Sequence, residues 1–123
     1  MAALVLLLRA VLVLIALVPW LWLALFAVLA AAASLHLGRL PRYNNPDPKE
    51  IAHLSLLYAT TSALLVPVIA SPLAMTACLA VRSFVSPDIR NERWRLLAHA
   101  LGYALAAVLI FGDVLGLGSW FLD

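Results

Sequence analysis

The chain has 123 residues, of which 66% are apolar and 11% charged, with a formal charge of +2. Soluble domains average about 45–50% apolar and about 25% charged, and a chain this short buries only about two-thirds of its surface on folding. The apolar excess must face lipid or a large partner, which excludes a soluble enzyme domain, a disordered tail, a disulfide scaffold and a DNA-binding module.

A helix crosses the hydrocarbon core of a bilayer, about 30 Å thick, with roughly 20 apolar residues. Three stretches qualify, at about residues 10–36, 51–81 and 96–120. They predict an all-α, polytopic membrane protein, a single transmembrane domain over residues 1–123. The first span lies between Arg9 and His36 and holds no charge. Its apolar stretch is about twice the length found in signal peptides, and its flank carries only Arg9, so it reads as an uncleaved anchor. A hairpin at Pro19 would need a polar turn, which Pro19-Trp20-Leu21-Trp22 lacks.

Capping chemistry marks where the second and third helices begin. Asp47-Pro48-Lys49-Glu50 sets an N-cap acceptor before a proline in the first turn, with a glutamate able to reach back. Ser86-Pro87-Asp88 repeats that signal and adds an acid where the helix dipole favours one. The third helix is therefore expected from near Pro87, ahead of its membrane span. Only a few residues around Arg82–Val85 remain as a connection, so helices 2 and 3 should form an antiparallel hairpin.

Within the third span, Asp113 is the single charge, and an intramembrane carboxylate ordinarily faces protein or a water-filled cavity. On a continuous helix its face would also carry Ala98, Gly102 and Ala106, with Gly112-xxx-Gly116 as a second small-residue pair. Small residues let membrane helices approach closely, so this face is expected to pack against another helix. His36 and His53 fall at the same end of the bundle as Asp113. The three form a candidate intramembrane polar site that could hold a divalent metal or pass protons. His99 lies toward the other end of the third span and could extend a proton relay. In the second span, Pro67 and Pro72 each release a backbone carbonyl, those of Ala63 and Val68, which hydroxyls or water must then satisfy.

Arg90, Arg93, Trp94 and Arg95 read as an anchor for anionic lipid headgroups or a partner protein. A charge of +2 is too small to drive nucleic-acid binding, which rests on several clustered phosphate contacts. Cys78 is the one cysteine, so neither an internal disulfide nor a cysteine metal site can form; it reads as a small packing residue.

No residue set has the spacing of a catalytic, cofactor-binding or metal site, so no enzyme activity, cofactor or metal is expected. The leading expectation is a small accessory or structural subunit of a larger membrane complex, working through helix packing. Its partners would be other membrane subunits or further copies of the chain. The alternative is a small oligomeric transporter or channel, coupled to protons or cations through Asp113.

Orientation follows from the basic residues. Arg9, Arg82, Arg90, Arg93 and Arg95 share one side, and Arg39, Arg42 and Lys49 share the other. The excess predicts a cytoplasmic N-terminus in a cell inner membrane. In a Cys78→Ser background, an impermeant thiol reagent added outside should label a cysteine placed at Asn44 and spare one at Ser83. The reverse pattern inverts the orientation.

Overall fold

The computed structural model describes residues 1–42, 50–85 and 92–122. Three of its helices are long and apolar enough to cross a membrane, and helix dominates the described residues. The protein is thus a multi-pass integral membrane protein in architecture.

Helix α1 spans Ala2–Leu37, a run of alanine and leucine that favours helix strongly. It passes through Pro19 unbroken and ends at Gly38, whose φ of +64° gives a left-handed cap. Arg9 therefore lies inside the helix rather than at its boundary. From Arg9 to His36 the rise is about 40 Å, enough to cross the core and reach the headgroup region on both sides.

The second helix begins later than its capping motif implies. Asp47, Pro48 and Lys49 lie outside the described residues, and Ile51 has a non-helical backbone (φ −79°, ψ 87°). A 3-10 turn follows at Ala52–Leu54, and α2 runs over Ser55–Val85. Packing accounts for the shift: Ile51 and Leu54 both turn into the core beside α1, at 4% and 6% exposure. The expected start near Pro87 also lies outside the described residues, and α3 covers Arg93–Phe111.

Helices α2 and α3 form the antiparallel hairpin. Arg82 meets Glu92 and Ser71 meets His99, so α2 numbers fall as α3 numbers rise; Tyr58 meets Phe121 of the segment that follows α3. Helix α1 packs along both. Its Leu12 and Ala16 meet Met75 and Cys78 of α2 in one cluster, while Trp22, Phe26 and Leu29 join Val68 and Ala106 in the other.

The third span does not continue to Trp120. Helix α3 stops at Phe111, and the chain reverses through Gly112–Gly116, with left-handed backbone at Asp113 (φ 46°), Leu115 (φ 58°) and Gly116 (φ 76°). A short helix α4, Leu117–Leu122, then folds back on the bundle. The reversal places Trp120 and Phe121 at 0% and 2% exposure, where a straight helix would have carried them past the core. Large aromatic rings dominate core energetics, and their burial offsets the strained backbone at Leu115, about 1–2 kcal/mol.

Gly118 is what allows α4 to dock. A Cβ placed there would sit 2.4 Å from the Ile110 carbonyl oxygen and 2.8 Å from that of Leu109, both backbone atoms that cannot swing aside. Gly118→Ala should therefore destabilise the protein by about 1–3 kcal/mol, as overpacking does. A lowered melting midpoint with loss of near-UV dichroism from the buried aromatics would show it; an unchanged melt would mean that α4 does not rest on α3 in this way.

Candidate functional site

Polar side chains gather at three levels of the bundle. At the N-terminal end of α3, Glu92 is 2% exposed and lies among three guanidinium groups. Arg9 Nε from α1 stands 3.5 Å from its Oε1 and Arg82 Nε from α2 4.0 Å. Arg95, one turn along α3, pairs with the other oxygen. One carboxylate thus ties all three helices together where α1 and α3 begin and α2 ends. Its position at a helix N-terminus further favours the negative charge. Sequence reading overlooked Glu92, because Arg9 and Arg82 come from other helices and only its i,i+3 neighbour Arg95 is local.

This arrangement redistributes the expected anchor. Arg93 and Trp94 are exposed, and the Arg95 guanidinium lies 5.3 Å from the Trp94 ring centroid. Arg95 turns inward to Glu92 and is not a free headgroup ligand, while Arg90 lies outside the described residues.

The middle level resolves the helix-breaking chemistry of Pro72. A proline there leaves the Val68 carbonyl without its helical donor, and the Ser71 hydroxyl supplies one at 2.7 Å. His99 of α3 lies 2.8 Å from the same hydroxyl through Nε2. Because the serine proton is directed at Val68, Ser71 accepts and Nε2 carries the histidine proton. His99 thereby braces α2 beside its proline. The nearby Thr60 and Thr61 instead donate to the carbonyls of Leu56 and Leu57 in their own helix.

The small-residue face is divided. Gly102 and Ala106 are buried toward α1, and the Trp20 indole lies over Gly102, 2.7 Å from where a Cβ would stand. The same indole donates to the Ala98 carbonyl at 2.9 Å. Gly112 and Gly116 do not share this face, because the helix has ended; they flank the turn. Asp113 sits in that turn, exposed, and accepts bonds from the Ser119 backbone N–H at 2.7 Å and the Ser119 hydroxyl at 3.0 Å. It is a local clasp on the reversal, off the transmembrane helices.

At the opposite end from Glu92, His36 and His53 come together, with ring centroids 4.7 Å apart and planes inclined by 70°. Both are exposed. Asp113 does not join them: among the described residues no three metal-binding side chains form a group. No protein-family model, curated protein or solved structure matches the chain.

The Glu92 cluster offers a direct test. Glu92→Gln leaves three arginines around a neutral group and should cost about 3–5 kcal/mol, the range for breaking a buried ion pair. Arg9→Ala removes a half-exposed partner and should cost no more than about 1 kcal/mol. Equal effects in a detergent unfolding titration would contradict the central place given to Glu92.

Proposed function

We propose that the protein is an accessory or structural subunit of a larger membrane assembly, binding the transmembrane helix of a different subunit through the outer face of α2. The observation that carries this reading is an exposed stripe composed mostly of small residues, Ala59, Ala63, Ala70, Ala74 and Ala77, interrupted once by Val66. These positions recur at helical spacing on the side of α2 turned away from α1. Outward positions of α1 and α3 set bulk beside their exposed alanines, with Leu14, Leu17 and Leu21 along one and Leu97, Leu101 and Leu105 along the other. Lipid tails are as apolar as leucine, so membrane helices associate where small residues permit close backbone contact.

The surface available for such contact is large. Only 17–22% of the residues in the apolar 18-residue stretch of each span are buried within the chain. The polar groups described above, meanwhile, support the fold: Glu92 holds three arginines, His99 braces α2 beside Pro72, and Asp113 clasps a turn. This reading departs from the sequence-based one in its surface, since Gly102 and Ala106 of α3 already serve α1. A transport role through Asp113 loses its support, because that carboxylate lies in the turn. The membrane proposed is the cell inner membrane, with the N-terminus in the cytoplasm.

Extraction in mild detergent should recover a stoichiometric, different membrane subunit with the wild-type chain. Ala70→Leu and Ala74→Leu should lose that subunit while keeping the wild-type melting midpoint. Ala24→Leu, which adds the same bulk to an exposed position of α1, should retain it. A wild-type protein recovered alone, or as a pure homo-oligomer, overturns the reading.

A further inference from the structure

We propose that His36 and His53 form a two-imidazole site for a divalent transition-metal ion of the copper or zinc type, at the bundle end opposite the N-terminus. The geometry starts from the ring separation of 4.7 Å. An imidazole nitrogen ligates such an ion at about 2.0–2.1 Å, which places the metal about 3.2 Å from the ring centroid. Two centroids 4.7 Å apart then subtend roughly 95° at a shared ion, between the angles of square or octahedral and tetrahedral coordination. The rings are exposed, so rotation about their side-chain bonds can aim one nitrogen of each at the ion with the backbone fixed. Water fills the remaining positions.

The fold supplies the pre-organisation. His36 belongs to the last turn of α1, two residues before the Gly38 cap, and the C-terminal end of a helix dipole favours a cation. His53 sits in the 3-10 turn between Ile51 and Leu54, whose burial fixes that turn against α1. Both ligands are thus delivered by packing contacts, and binding an ion requires no further folding. Imidazole suits copper, zinc and nickel, and copper(II) binds such donors most tightly of the first-row divalent ions. It is accordingly the best probe.

The test uses tag-free full-length protein in phosphatidylcholine nanodiscs, titrated with copper(II) and followed by electron paramagnetic resonance. One copper per chain should appear, with hyperfine structure from two imidazole nitrogens. His36→Gln or His53→Gln should each lower the affinity by at least about tenfold, a loss that even outer-shell changes can cause; the double variant should lose the site. Both residues are exposed, so a melting curve will show the variants folded, and the nitrogen count of the wild type stands independently of them. A spectrum with fewer than two imidazole nitrogens, or copper binding that survives the double variant, overturns the proposal. Neither outcome bears on whether α2 binds another subunit.

Discussion

Two indole N–H groups of α1 hold the three spans in place. Trp20 and Trp22 are separated by about 200° around the helix, so they address different neighbours. Trp20 donates to the Ala98 carbonyl of α3 at 2.9 Å, and Trp22 to the Thr61 carbonyl of α2 at 3.0 Å. In hydrocarbon there is little hydrophobic drive to bring helices together, so close packing and hydrogen bonds decide which faces meet. Gly102 has to be glycine for the Trp20 indole to lie against α3. Trp22, stacked on Phe26, in turn makes the surface on which Phe121 lands, with centroids 5.8 and 5.2 Å away. The return of α4 depends on that surface.

Satisfying polar groups without water shapes the rest of the interior. Hydroxyls within the spans mostly donate to carbonyls of their own helix, as Ser34, Thr60, Thr61 and Thr76 do. At Pro72 the Ser71 hydroxyl follows the same pattern by donating to Val68, and His99 then adds a link from α3 to α2. Charged groups are displaced to the ends, where Glu92 meets its arginines. The ends therefore carry the charged groups and the His36–His53 pair, and the flanks of the spans are apolar.

Apolar length and composition determined the membrane setting, the three crossings and the hairpin of helices 2 and 3, because a bilayer accepts only helices of sufficient apolar length with internally bonded backbones. Periodicity likewise placed Gly102 and Ala106 on one face of helix 3. Sequence could not locate the end of that helix, since Gly112 and Gly116 suit both a packing face and a turn. Burial of Trp120 and Phe121 against α1 decided for the turn, and that choice moved Asp113 from a helix face into a clasp. The grouping of Glu92 with Arg9 and Arg82, and of His36 with His53, was also decided only in three dimensions. Each grouping joins side chains from different helices or turns, and their separation depends on how those elements pack, which no local pattern of residues records.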